Sequence, residues 1–227
     1  MYTLHIANKN YSSWSLRPWI LLKTLGIPFI EEIHPFDGQD NAAAFRHFSP
    51  SGRVPCLIDG DLAVWDSLAI VEYLAEQHPQ VWPGDKSARA WARSAAAEMH
   101  SGFSALRNIC GMNCGLRIEL NDWPQPLQRD IARIGELWDH GLGQFGGPYL
   151  AGGQFTAVDA FFAPVTFRAL SFNLDFGGAG NRYAAMIRDL PAMREWYEAG
   201  IAEPWRDQFH DDEAMAVGRI TRDLRDR

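Results

Sequence analysis

The sequence predicts an α/β domain followed by an all-α domain. Three observations carry this. Strand-like apolar runs all fall before residue 66, helical periodicity dominates beyond residue 88, and Pro79-Gln80-Val81-Trp82-Pro83-Gly84 breaks the pattern between them. The expected boundaries are 1–78 for the first domain, 79–87 for a linker and 88–227 for the helical domain.

In chain order, Tyr2, Leu4 and Ile6 alternate on one face, as in a strand over 2–7. Residues 15–25 read as a helix stopped by Gly26. Pro18 fits only a first turn, where a missing N–H costs nothing, so the helix is expected to start between Ser15 and Arg17 with Ser15 as a good cap. A second strand covers 28–34 and a short helix 41–48. Asp59-Gly60-Asp61 between two apolar runs predicts a hairpin over 54–65. Residues 66–78 place Leu68, Val71 and Leu74 on one helical face. The order is βαβαββα, with a parallel first unit and an antiparallel hairpin. Beyond the linker no segment reads as a strand. One long helix is expected over 88–108, with others near 124–145, 156–172, 181–199 and 203–209.

With 227 residues the chain is long enough to bury a sizeable core. A net charge of −7 does not suggest a nucleic-acid partner or an acidic membrane surface. No apolar run reaches the ~18 residues of a membrane span, and the N-terminus reads as a strand, not a leader. Three cysteines make no disulfide framework. A cytoplasmic protein is expected. Cys110 and Cys114 have no further ligands nearby and the seven histidines are scattered, so no metal is expected. Gly141–Gly146 satisfies G-x-G-x-x-G but follows a helical segment, where a dinucleotide fingerprint needs a strand first.

Three motifs remain. Ser12-Ser13-Trp14-Ser15-Leu16-Arg17 puts hydroxyls just ahead of a helix N-terminus. Capping uses one of them, and the others are free to donate to an anion held at that end. Arg53-Val54-Pro55 precedes a strand. A cis Val54–Pro55 bond would turn the Val54 backbone outward to meet an extended ligand. Asp66-Ser67 opens a helix directly after a strand, offering free N–H groups and a hydroxyl to a carboxylate, and an aspartate to an ammonium. Together they outline a site for a small zwitterionic peptide.

This combination resembles the glutathione S-transferase superfamily over nearly the whole chain, with a thioredoxin-like first domain. SSWSLR resembles the S-S-x-S-x-R signature of zeta-like, serine-type members, and SPSGRVPCLIDGD resembles N-P-x-G-x-V-P-x-L-x-D-G-D, with Ser49 for asparagine. DSLAIVEYL resembles E-S-x-A-I-x-x-Y-L, with Asp66 for glutamate, and Thr156-Ala157-Val158-Asp159 matches the family's S/T-x-x-D capping box. The sequence departs from zeta enzymes at Trp14, where they carry cysteine. With no cysteine at 12–15 it also departs from the thiol-transfer branch.

The resemblance implies a homodimeric detoxification enzyme, a transferase of alkyl or aryl groups that ionises the glutathione thiol for attack on a small electrophile. It makes Ser12 the catalytic hydroxyl. Ser13, Gln39, Arg53, Val54, Pro55, Asp66 and Ser67 become the glutathione contacts, with Asp66 and Ser67 at the γ-glutamyl end and Gln39 at the glycyl carboxylate. The electrophile pocket is expected between the domains. Met99, Phe103 and Arg107 are four apart and would share a face of the 88–108 helix there. A glutathione-dependent isomerase or peroxidase, and a non-catalytic interaction or regulatory protein of the same fold, are the alternatives.

Overall fold

Tyr2, Leu4 and Ile6 point inward along β1 (Tyr2–Ile6), and this strand lies inside the first sheet. The computed structural model describes residues 1–225. β2 (Phe29–Ile33) runs parallel to β1, with Tyr2 opposite Phe29 and Ile6 opposite Ile33. β3 (Cys56–Asp59) pairs antiparallel with β1 on the other side, and β4 (Leu62–Trp65) closes the order β2-β1-β3-β4. Gly60, at φ 58°, supplies the positive angle that the two-residue turn of the β3–β4 hairpin requires. With α1 (Ser13–Thr24), α2 (Ala42–Phe45) and α3 (Ser67–Gln77), the expected βαβαββα order is present.

α1 starts earlier than its sequence suggests. Its cap is Ser12, whose Oγ accepts from Ser15 N–H at 3.3 Å, so Pro18 falls in the interior rather than the first turn. An interior proline forfeits a helical hydrogen bond and costs about 3 kcal/mol. Complete burial of Leu16, Trp19, Ile20, Leu21 and Leu22 offsets that cost.

A 3-10 turn at Pro79–Val81 leads into the second half. Its helices are α4 (Lys86–Ser101), α5 (Ser104–Ile109), α6 (Gln125–Phe145), α7 (Ala157–Phe172), α8 (Gly177–Arg188), α9 (Pro191–Ala202) and α10 (Gln208–Val217). α7 is buried along almost its whole length and packs against α1, α4 and α8, so it joins both halves of the molecule. The expected 88–108 helix is broken. α4 ends at Gly102, and Phe103 takes a left-handed conformation at φ 58° before α5 begins. The expected 181–199 helix is two, divided just before Pro191.

This half also carries an antiparallel ribbon that sequence reading missed, β5 (Leu116–Leu120) with β6 (Gly218–Asp223). No helix among the described residues is long and apolar enough to cross a membrane.

The start of α7 is fixed by a buried carboxylate. Asp159 completes a capping box with Thr156, accepting its N–H at 2.9 Å, and also accepts from Leu150 N–H at 2.9 Å and the Tyr183 hydroxyl at 3.0 Å. Burial raises its pKa to about 6 against the pull of these donors. Asp159→Ala leaves three buried donors without an acceptor. Equilibrium urea unfolding should show a loss of about 3–5 kcal/mol.

Candidate functional site

The hydroxyl loop between β1 and α1 is held from the far half of the chain. Glu203, just past α9, accepts the N–H groups of Lys9 and Asn10 through its carboxylate. Trp196 Nε1 donates to Lys9 O at 2.8 Å, and Asn10 Oδ1 accepts from Gly115 N–H at 3.1 Å. Lys9 Nζ pairs with Glu31 at 2.7 Å, near the faces of Trp19 and Trp196. Burial raises the Glu203 pKa, opposed by the two N–H groups and Lys9.

Within this loop the serines are distinguished by their partners. Ser12 Oγ donates to Ser15 Oγ at 2.7 Å, and Ser15 Oγ also accepts from Ala7 N–H at 3.2 Å. Ser15 is fully buried and serves the fold. Ser13 Oγ accepts from Arg168 Nη2 at 3.2 Å, which leaves the Ser13 proton available for donation.

Two cavities meet at Trp14. The first, of about 490 Å³, is lined by Ser51, Arg53, Val54, Pro55, Asp66 and Ser67, with Trp14, Trp65 and His100 as walls. It gathers two of the three sequence motifs, and the Val54–Pro55 bond is cis as expected. Asp66 caps α3, its Oδ1 accepting from Leu68 N–H at 2.8 Å, and adopts a positive φ of 75°. Such backbone in a non-glycine residue costs about 1–3 kcal/mol and clusters at binding sites.

The second cavity, of about 380 Å³, contains Ser12 and Ser13 together with Tyr11, Arg107, Arg168 and His210. It lies between the first domain, α5, α7 and α10. Its charged lining is two guanidiniums, Arg107 and Arg168, and one carboxylate, Glu213. Arg168 is buried, donating to Cys110 O and Ser13, and burial with nearby Arg107 lowers its pKa to about 10. Arg107 donates to Gly102 O at 2.9 Å and to Met99 O, and its guanidinium stands 4.7 Å from the Trp14 ring. Arg17 stacks on the other cation–π contact to Trp14 at 4.0 Å and reaches Ser67 Oγ at 3.4 Å. Its pKa lies well below the usual guanidinium value, first through burial and then through Arg107 and Arg168.

Several sequence expectations need correction. Met99 and Phe103 do not share a face with Arg107, because the chain breaks between α4 and α5. Both are core residues, and only Arg107 of the three lines the second cavity. Gln39 is exposed on the loop before α2 and lines neither cavity. Sequence reading missed Trp14, His100, Arg168 and His210. Arg168 had a legible signal, the lone basic residue in a predominantly apolar helix. His100 had none, since only the domain packing brings it to Asp66.

The N-terminal domain of the glutathione S-transferase family matches residues 11–77, and the C-terminal domain of that family matches 89–199. The chain belongs to the glutathione S-transferase family. It is 30% identical over 174 residues to a probable maleylacetoacetate isomerase of Vibrio cholerae, covering 70% of this chain and 77% of that protein. A probable maleylacetoacetate isomerase of Caenorhabditis elegans is 27% identical over 185 residues, covering 80% and 86%. Among solved structures, a glutathione transferase homolog from Burkholderia gl BGR1 with bound glutathione superposes with a TM-score of 0.65. It is 22% identical and covers 88% of this chain and 97% of that one. A protein named glutathione S-transferase zeta class, from Euphorbia esula, is 28% identical over 169 residues, covering 72% of this chain and 75% of that protein.

All three cysteines are buried and unpaired. Burial pushes the Cys110 thiol up to about 12 and raises those of Cys56 and Cys114 as well. Only the thiolate reacts readily. Ellman's reagent at pH 8 should therefore find no fast-reacting thiol in the folded protein and three after denaturation.

Proposed function

We propose that this protein binds glutathione in the first cavity and activates its thiol beside Ser12 for attack on an electrophile held in the second. The observation that carries the reading is the junction of the two cavities at Trp14, with a zwitterion-binding cleft on one side and hydroxyls at a helix N-terminus on the other. Val54 presents its backbone to the peptide as an added strand would. Asp66 takes the γ-glutamyl ammonium, and Ser67 takes the adjoining carboxylate at the start of α3.

An unperturbed thiol has a pKa near ~8.5, so little of it is ionised at neutral pH. A hydrogen bond to a charged sulfur contributes about 1.5–3 kcal/mol, equivalent to roughly one to two pKa units. The N-terminus of α1 adds about 0.3–1 kcal/mol. Ser12 sits at that terminus as its cap and needs only to rotate its proton from Ser15 Oγ toward the sulfur. Ser15 still caps Ala7 N–H after that rotation.

The geometry also supports a specific rival for the donor. Ser13 already accepts from the Arg168 guanidinium, which makes its hydroxyl a better donor. A second reading concerns the reaction. Arg107 and Arg168 suit an electrophile bearing a carboxylate, as expected for the glutathione-dependent isomerase that the relatives' names suggest. Neutral aryl electrophiles gain nothing from these cations. A panel pairing neutral with carboxylate-bearing electrophiles separates transfer from isomerisation.

Ser12→Ala should raise the pKa of bound glutathione by one to two units, read from thiolate absorbance against pH, with turnover lost at neutral pH and mostly recovered in alkali. A curve that moves for Ser13→Ala and not for Ser12→Ala transfers the donor role to Ser13. Asp66→Ala should weaken glutathione binding by about 1.5–3 kcal/mol in calorimetry, and unchanged affinity removes Asp66 from the site.

A further inference from the structure

His100 belongs to none of the sequence motifs, yet it is the residue of the far domain that closes the first cavity over Asp66. It lies in the last turn of α4, and its Nε2 stands 3.4 Å from Asp66 Oδ2. The other carboxylate oxygen of Asp66 is already engaged by Leu68 N–H at 2.8 Å. One oxygen is thus hydrogen-bonded by α3, and the imidazole of α4 stands within ion-pair distance of the other without a hydrogen bond to it as placed, so a small turn of the ring would be needed to make one. The imidazole has little freedom to turn beyond that. Its ring meets Trp14 edge-on at 5.4 Å and Phe161 edge-on at 6.1 Å.

We propose that His100, as a neutral imidazole with its proton on Nε2, is the positioning residue that orients Asp66 for the amino end of the peptide substrate. This rests on the reading that the γ-glutamyl end of glutathione lies at Asp66.

The protonation state follows from packing. His100 Nδ1 is buried and has no hydrogen-bond partner among the described residues. In the neutral ring with Nε2–H that atom is a bare acceptor. An imidazolium would have to bury a second N–H there without an acceptor, a costly arrangement. The charged groups facing the ring are divided, and the balance favours the neutral form. Asp66, from the β4–α3 junction, favours the imidazolium, while Arg17 of α1 and Arg107 of α5 oppose it, and burial, the largest influence, lowers the pKa below the usual histidine value. Arg53 lines the same cleft and adds positive charge.

Neutrality matters to the ligand. An uncharged donor holds the carboxylate in place and leaves its full negative charge for the incoming ammonium. A charged donor would compensate that charge. As pH falls through the lowered His100 pKa, below the ordinary ~6.5, the imidazolium forms, pairs with Asp66 and competes with the ammonium. Affinity for glutathione therefore falls on the acid side.

The test is glutathione affinity by calorimetry from pH 5 to 8, with kcat and KM for glutathione, in the wild type and the variants His100→Phe, His100→Gln and Asp66→Ala. His100→Phe keeps a ring between Trp14 and Phe161 but has no donor. At pH 7.5 it should weaken binding about five- to tenfold, raising KM with kcat at saturation unchanged. His100→Gln retains an uncharged N–H at similar reach, so it should restore affinity to within about twofold and abolish the loss between pH 6.5 and 5. Wild-type affinity in His100→Phe at pH 7.5, or an acid-side loss that persists in His100→Gln, overturns the inference. If Asp66→Ala alone weakens binding, the reading of Asp66 stands without His100. If Asp66→Ala binds as the wild type does, that reading fails and the inference falls with it.

Discussion

The segment 8–12 connects β1 to α1 without regular structure, yet its residues are almost completely buried. A buried irregular backbone must find hydrogen-bond partners elsewhere or pay heavily for leaving polar groups dry. Asn8 O takes the N–H groups of Tyr11 and Ser12, and the remaining partners come from sequence positions about a hundred and two hundred residues away. Glu203 accepts two successive N–H groups, Trp196 donates to Lys9 O, and Cys114 N–H and Gly115 N–H donate to Asn10. Tyr11 is held by Arg225, whose guanidinium also pairs with Asp211 and Asp223. The placement of Ser12 and Ser13 is therefore a property of both halves of the molecule.

The second organising feature is positive charge. Arg17 and Arg168 are buried, and among the described residues no carboxylate pairs with either. Rings and neutral oxygens receive them instead: Trp14 and Phe161 flank Arg17, and the Cys110 carbonyl and Ser13 take Arg168. Burying such cations is expensive. Their arrangement places positive charge beside two hydroxyls and the N-terminus of α1, at the wall of the second cavity. Trp14 forms the shared wall of the two cavities and carries Arg17 and Arg107 against its ring.

The parts of the site legible in the sequence are those whose geometry is local. Ser12 and Ser13 are the cap and first residue of a helix, Val54-Pro55 precedes a strand, and Asp66-Ser67 joins a strand to a helix. In each case neighbouring residues set the backbone, and the structure places 53–55 and 66–67 around one cavity. The break after α4 was less legible. Gly102 donates to Glu98 O at 2.8 Å and leaves no room for a Cβ, which would lie 2.8 Å from that same carbonyl oxygen. A helical period drawn through Gly102 therefore paired Met99 and Phe103 with Arg107 wrongly. The cap of α1 lies three residues before the position that Pro18 alone favours, because burial of Leu16, Trp19 and Ile20 outweighs the proline's local penalty.

The sequence by itself determined the βαβαββα order, the helical second half, the capping box at Thr156 and Asp159, and the three motifs, because periodicity, turn residues and caps act over a few residues. Tertiary structure alone decided the rest. β5 and β6 lie about a hundred residues apart, so neither strand has its hydrogen-bonding partner until the fold brings them together. Arg168 reaches Ser13 from α7, and His100 reaches Asp66 from α4. The second cavity exists only where α5, α7 and α10 close over the hydroxyl loop. These contacts depend on how two amphipathic layers pack, and no short-range pattern in the chain encodes that distance.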